Sequence, residues 1–307
     1  MLSIHTHLSL SDPACLADKL AEFISTTVRQ QGKAGCVLGL SGGLDSAVVA
    51  ALAMRALDRH DIHPVYLPER DSSKASRTDA HRVADHLGLT IQEINITAVI
   101  RKIGVYRLEP SMGFYPRSWR EKAIRREHAR TNSNGANSFT DMLRGGSNVS
   151  NLRHMVFSNT KNRVRMAVLY HQAELINCVV LGTCNRSERM AGLFVKHGDG
   201  ASDVSVLHDL YKTQVYELSR YLKLPQQIID KVPSGDLMPG IHDEQTLGIG
   251  YAELDQILAG LELRLPDDEI IEQTGLAHAS VNHVRTLVEV SQFNRHGIFI
   301  PDLSARP

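Results

Sequence analysis

The sequence has no excess of charge of either sign, since Lys plus Arg and Asp plus Glu both total 34 in 307 residues. That balance removes any global attraction to nucleic acid or to an anionic membrane, so a polyanion has to be held by a local site. Cysteine is sparse. Cys15, Cys36, Cys178 and Cys184 are scattered through helix-like and strand-like segments without a C-x-x-C pair, which reads as buried thiols rather than zinc or redox chemistry. No apolar run is long enough to span a membrane, and residues 1–10 carry two histidines and too short an apolar stretch for a signal peptide. The expectation is a cytoplasmic protein with no membrane and no nucleic-acid partner. There is no internal repeat and no G-x-G-x-x-G fingerprint, and no glycine loop is followed by the Lys-Ser/Thr pair of a Walker loop. What is present is 42% hydrophobic content, enough for a sizeable core.

One octet carries most of the chemical information: Gly39-Leu40-Ser41-Gly42-Gly43-Leu44-Asp45-Ser46. It joins a short apolar run, Cys36-Val37-Leu38, to residues 47–57, where apolar and small side chains recur at helical spacing. Glycines without Cβ atoms and the backbone amides of a helix N-terminus let a polyphosphate approach closely. Asp45 adds a carboxylate able to hold magnesium against that charge. The pattern SGG-x-DS after a strand resembles the pyrophosphate-binding loop of the ATP pyrophosphatases, enzymes that adenylate a substrate oxygen and release pyrophosphate.

Around the octet the chain alternates. A helix near 11–31 precedes the first strand, residues 64–68 read as a second strand, and a polar loop leads to a helix over 75–87. Residues 91–96 form a third strand, and a helix over about 159–177 leads into a fourth at Cys178-Val179-Val180-Leu181-Gly182. This order predicts an α/β fold, a doubly wound parallel sheet of Rossmann-like type with flanking helices, ligands at the carboxyl ends of its strands and a C-terminal helical portion. Residues 101–158 break the rhythm. A basic helix-like piece at 117–126 precedes an Asn/Ser/Gly-rich stretch at 131–151 with the composition of a mobile loop. A basic run is also what a solvated helix face looks like; the functional reading is a lid or acceptor-binding insertion.

A second constellation follows the fourth strand: Gly182-Thr183-Cys184-Asn185-Arg186-Ser187-Glu188, then Lys196-His197-Gly198-Asp199-Gly200-Ala201-Ser202-Asp203, then Leu210-Tyr211-Lys212-Thr213-Gln214-Val215. Together with Asn159-x-Lys161-x-Arg163-x-Arg165-Met166, Pro233-Ser234-Gly235-Asp236-Leu237 and Asp243-Glu244-x-x-Leu247-Gly248-x-x-Tyr251, these motifs resemble those of the ammonia-dependent NAD synthetases. The resemblance spans nearly the whole chain. It implies that Gly39, Leu40, Ser41, Gly42, Gly43, Leu44, Asp45 and Ser46 wrap the ATP phosphates, and that Asp45 and Glu188 hold magnesium. It further implies that Thr183, Lys212 and Ser234 contact ATP, that Arg165, Lys196 and Asp203 face deamido-NAD, and that Asp45, Lys212 and Glu188 are the catalytic set. The implied reaction has two steps. The nicotinate carboxylate attacks the α-phosphorus of ATP, giving an acyl-adenylate and pyrophosphate, and ammonia then displaces AMP.

No enzyme nucleophile is required, so Cys184 is given no such role. The whole of 1–307 reads as one synthetase domain with an insertion at about 101–158 and no glutaminase domain, which makes free ammonia the nitrogen donor. Ammonium must lose a proton before attack, so the rate should rise with pH, and Asp199 and Asp203 are the candidates to assist. The resemblance also implies a symmetric homodimer.

Three departures from the family pattern fall on the acceptor side. Ser291-Gln292-Phe293-Asn294-Arg295-His296 stands where the family carries a His-Lys pair followed by Arg, Asn162 replaces an alanine, and the loop after the third strand is longer. Two other readings therefore stay open: a paralogous ligase amidating a different carboxylate, and an ATP-binding module without chemistry. A tRNA thiolase shares the SGG-x-DS loop, but the zero net charge and missing cysteine pairs argue against it.

Overall fold

Cys36, Val37 and Leu38 are all fully buried because β1 (Gly35–Gly39) runs through the middle of a five-stranded sheet. The computed structural model describes residues 3–108, 119, 126, 138–145, 149–234 and 241–301. The other strands are β2 (Ile62–Tyr66), β3 (Gln92–Glu93), β4 (Cys178–Gly182) and β5 (Val204–Ser205). They lie in the order β3-β2-β1-β4-β5 and every pair is parallel. That is the doubly wound arrangement expected from the sequence, with its order reversing between β1 and β4. In register, Leu38 stands beside Leu181 and Pro64, so the carboxyl ends of β1, β2 and β4 come level.

In chain order the helices before β4 are α1 (Ile4–Leu8), α2 (Pro13–Gln30), α3 (Leu44–Ala56), α4 (Lys74–Leu87), α5 (Thr97–Ile103), α6 (Ser138–Leu143) and α7 (Val149–Leu175). After β4 come α8 (Arg186–Ala191), α9 (Lys212–Tyr221), α10 (Gln226–Ile229), α11 (Asp243–Leu247), α12 (Tyr251–Glu262), α13 (Asp267–Thr274), α14 (His278–Val290) and α15 (Gln292–Arg295). Side chains of a strand alternate between faces. Cys36, Leu38, Val179 and Leu181 therefore pack with α2, α3, α4 and α9, while Val37, Val65 and Val180 face α5 and Phe157, Val164 and Ala173 of α7. A third apolar cluster joins Ile4 of α1 to Leu254, Ile257 and Leu258 of α12 and to α13 and α14, which is the expected C-terminal helical portion.

Several boundaries differ from the sequence reading. β2 begins two residues earlier than expected, and β3 is short, although Ile94 and Ile96 continue its ladder by donating to the Tyr66 and Pro68 carbonyls at 2.9 Å. The helix expected from 159 starts at Val149, because Phe157 already reaches the apolar cluster beneath the sheet. Within 101–158 fall the end of α5, a 3-10 turn at Val105–Arg107, α6 and the first turns of α7. Within the basic piece only Trp119 and Arg126 are described; the rest of 117–126, and 131–137 and 146–148, lie outside the described residues. Among the described residues no helix is long and apolar enough to cross a membrane.

Candidate active site

The glycine-rich octet leaves β1 at the point where strand order reverses, the crevice in which parallel α/β sheets bind ligands. Gly42 has φ +76°, and a Cβ there would lie 2.5 Å from the Ser76 carbonyl oxygen and 2.7 Å from the Ala80 nitrogen of α4. Only glycine fits both that backbone and that packing. The loop is closed from inside: the Ser46 hydroxyl donates to the Gly43 carbonyl at 3.0 Å, and the Gly43 N–H donates to Ser41 Oγ at 3.2 Å. Leu40 donates its N–H to Val65, and the side chains of Leu40, Leu44 and Ser46 are buried. The loop then runs into the first turn of α3, where N–H groups lack intrahelical acceptors.

Asp45 lies in that first turn. Its Oδ2 accepts a hydrogen bond from the Lys212 ammonium and its Oδ1 accepts one from Asn185 Nδ2 at 3.0 Å. Asn185 also begins α8 through a reciprocal cap: its Oδ1 accepts the Glu188 N–H at 3.0 Å, and Glu188 Oε2 accepts the Asn185 N–H at 3.2 Å. The other Glu188 oxygen stands 3.7 Å from Lys212 Nζ. Burial alone would lower the Lys212 pKa, but the charges of Asp45 and Glu188 more than offset it and hold the group firmly as an ammonium. Burial and then the Asp45 charge raise Glu188 above the usual carboxylate range, against the opposing pull of Lys212. Two carboxylates thus converge on one lysine, Asp45 by a hydrogen bond and Glu188 at 3.7 Å. Hard oxygen donors so placed fit a divalent cation such as magnesium.

The remaining expected residues divide among elements. Thr183 follows β4 directly and is half-buried. Ser234 donates its hydroxyl to the Ile241 carbonyl at 3.1 Å, while Gly235, Asp236 and Leu237 lie outside the described residues. Arg165, on α7, donates to the Leu67 carbonyl at 3.3 Å and to Asn162 Oδ1 at 3.2 Å. Asp203 lies against β4, its carboxylate accepting the Val180 N–H at 2.8 Å. Lys196 instead reaches the C-terminal tail, donating to the carbonyls of Phe293 and Gly297 at 3.3 and 3.1 Å, with its Nζ 4.6 Å from the Phe293 ring centroid. Asp45, Glu188 and Lys212 are therefore brought into one cluster, whereas Arg165, Lys196 and Asp203 engage three separate elements.

Sequence reasoning missed Asn185, which links the two carboxylate-bearing helices, although Asn-x-x-Glu at a helix start is a legible capping signal. It also missed Lys231, whose Nζ donates to the Gly42 carbonyl at 2.9 Å and pairs with Asp79 at 2.8 Å, and Tyr251, whose ring lies 5.2 Å from Lys212 Nζ. No local pattern marks Lys231, whereas Tyr251 closes the Asp243-Glu244-x-x-Leu247-Gly248-x-x-Tyr251 motif and was not singled out from it. Cys184 is buried, and burial together with the Glu188 charge raises its thiol well above its usual range, which disfavours a thiolate there.

A parallel sheet with a glycine-rich loop, a carboxylate pair and a buried lysine at its switch point defines a nucleotide-binding α/β enzyme. The chain matches the NAD synthase family over residues 16–152 and 136–297 and belongs to it. An NH(3)-dependent NAD(+) synthetase of Thermotoga maritima is 38% identical over 283 residues, covering 92% of this chain and 98% of its own. Among solved structures, an NMN synthetase from Francisella tularensis is similar with a TM-score of 0.71 at 26% identity, covering 95% of this chain and 99% of its own. An NH3-dependent NAD synthetase from Campylobacter jejuni gives 0.69 at 25% identity, covering 95% and 100%.

Proposed function

We propose that this chain is a ligase that amidates the nicotinate carboxylate of deamido-NAD with free ammonia, using ATP and forming an acyl-adenylate. The observation that carries the reading is the convergence of Asp45, Glu188 and Lys212 beside the loop at Ser41 to Gly43. The Thermotoga maritima relative, named for the same ammonia-dependent synthesis, supports it over almost its full length.

Asp45 and Glu188 would hold magnesium, which when bound supplies neutralising charge at the phosphate oxygens. The first-turn N–H groups of α3 would orient the leaving pyrophosphate, while the Ser41 and Gly43 N–H groups hold the loop closed through the Ser46 and Ser41 oxygens. Lys212, held as an ammonium by its two carboxylate neighbours, offers fixed positive charge to the α-phosphoryl oxygens and is unsuited to act as a base. Thr183 and Ser234 would contact ATP, and Arg165, Lys196 and Asp203 would have to turn from their present partners to reach the acceptor. Organisation of 1–307 as one synthetase domain, a symmetric dimer and a cytoplasmic location belong to the same reading and rest on family membership.

One observation favours a second reading. Lys196, expected at the acceptor, is engaged by the tail and by Phe293, which stands where the family carries its charge pair. A ligase for another pyridine carboxylate, such as the mononucleotide implied by the Francisella tularensis neighbour's name, fits that change. The test incubates the pure chain with ATP, magnesium and ammonium and with deamido-NAD or nicotinate mononucleotide, following amide product and AMP together. NAD formed in equal amount to AMP supports the first reading; product from the mononucleotide alone supports the second. ATP binding without AMP release from either acceptor overturns both.

A further inference from the structure

Asp255 lies on α12, outside the sheet, and is fully buried although it is a carboxylate. Both of its oxygens are engaged. Oδ1 accepts the hydroxyl of Ser187, and Oδ2 accepts the Thr213 N–H at 2.8 Å. The Ser187 oxygen in turn accepts the Lys212 N–H at 2.8 Å. One carboxylate therefore satisfies the first two N–H groups of α9, one directly and one through the serine, at a helix end where no intrahelical acceptor exists. Ser187 is fully buried and immediately precedes Glu188 in α8; Lys212 opens α9. The carboxylate thus ties together the two backbones that carry Glu188 and Lys212 and anchors both to a third helix.

A buried ionised acid is a poor stabiliser compared with an apolar side chain of similar volume, and Leu254, Ile257 and Leu258 of the same helix already supply apolar packing. Its hydrogen bonds instead go to Ser187 and Thr213, the chain neighbours of Glu188 and Lys212, and through the Ser187 oxygen to the Lys212 N–H. We propose that Asp255 is a positioning residue for adenylation, setting the Lys212 ammonium against Glu188 and Asp45 through Ser187 and the N-terminus of α9. The inference rests on the functional reading above for the role of those three groups.

The test compares wild type, Asp255→Asn, Ser187→Ala, Ser187→Thr and the Asp255→Asn/Ser187→Ala double variant, all well below the lowest melting temperature. Two quantities are read: kcat and KM for amide formation, and the calorimetric affinity for ATP with magnesium. Because the two residues act through one hydrogen-bonded chain, each single loss should lower kcat by about 10- to 100-fold with acceptor KM within about twofold, and the double should fall no further than the worse single. ATP affinity should weaken in the same rank order, and Ser187→Thr, which keeps the hydroxyl, should stay near wild type. Folded variants with lowered melting temperature but unchanged kcat and ATP affinity would overturn the proposal, as would multiplicative effects in the double. If Asp255→Asn does not fold, the Ser187→Ala and Ser187→Thr pair decides alone. A wild-type chain that makes no amide from either acceptor overturns the functional reading instead, and the ATP affinities of the same variants still decide the role of Asp255.

Discussion

Lys212 is the side chain on which the site depends most, because it is almost fully buried and is the cation shared by Asp45 and Glu188. Replacing it with methionine leaves two carboxylates facing each other without that charge. Lys212→Met is expected to lower kcat for amide formation by about 100-fold or more, as loss of a fixed charge at a developing phosphate charge does. Steady-state assays at saturating ATP would show it; a change confined to KM would place Lys212 in binding alone. Asp255 supports a prediction about pH. Burial pushes its pKa up to about 6 from a usual 3.8, with its hydrogen bonds to Ser187 and Thr213 pulling the other way. The folded chain therefore binds this proton more tightly than the unfolded chain, so stability from this group is greatest below about pH 4 and falls as pH rises through 6. At pH 7 ionising it costs about 3 kcal/mol. Asp255→Asn escapes that cost, so its destabilisation relative to wild type should shrink between pH 5 and pH 7 in urea titrations. A constant difference would show that the carboxyl titrates normally.

At the scale of elements, the phosphate loop depends on the close approach of α4. Gly42→Ala puts a methyl group against α4 backbone atoms, whereas Gly32→Ala meets nothing within 4 Å although its φ of +62° is similar. Both should lose about 1 kcal/mol of stability from left-handed backbone alone, but only Gly42→Ala should raise the KM for ATP, by about tenfold or more if the loop is displaced. Equal KM values would mean the loop tolerates displacement from α4. A second link joins α7 to the end of β2: Lys161, fully buried, donates to Glu69 and Asp71 at 3.0 Å each, while Tyr106 donates to the other Glu69 oxygen at 2.7 Å. Lys161→Met leaves Asp71 with Arg70 and Glu69 with Tyr106 but removes the buried cation the two carboxylates share, and a loss of about 3 kcal/mol is expected from denaturant midpoints. These links were not legible beforehand. The periodicity around Lys161 shows a helix and which face is apolar, yet its carboxylate partners lie about 90 residues away.

Over the whole molecule, the sheet and the C-terminal helices meet at the site, so ligand binding should stabilise both together. ATP with magnesium at about 100 times its dissociation constant adds about 2.7 kcal/mol. Melting temperature should rise with ATP and magnesium together and rise much less when EDTA removes the metal, because Asp45 and Glu188 would then face the triphosphate unshielded. An EDTA-insensitive shift would remove magnesium from the role given to those residues.

The sequence by itself determined the parallel sheet, the phosphate loop and the family. Their signals are local: apolar runs, glycines that relieve close backbone approach, and short motifs, all decided by neighbours along the chain. Only the tertiary structure decided that Lys212 and Asp45, 167 positions apart, share a hydrogen bond, and that Asp255 reaches Ser187 across 68 positions. It also drew the early turns of α7 out of an apparent loop and put Lys196 beneath the C-terminal tail. Electrostatic pairing and burial depend on distance through space, and that distance is set by how helices dock on the sheet rather than by residue order.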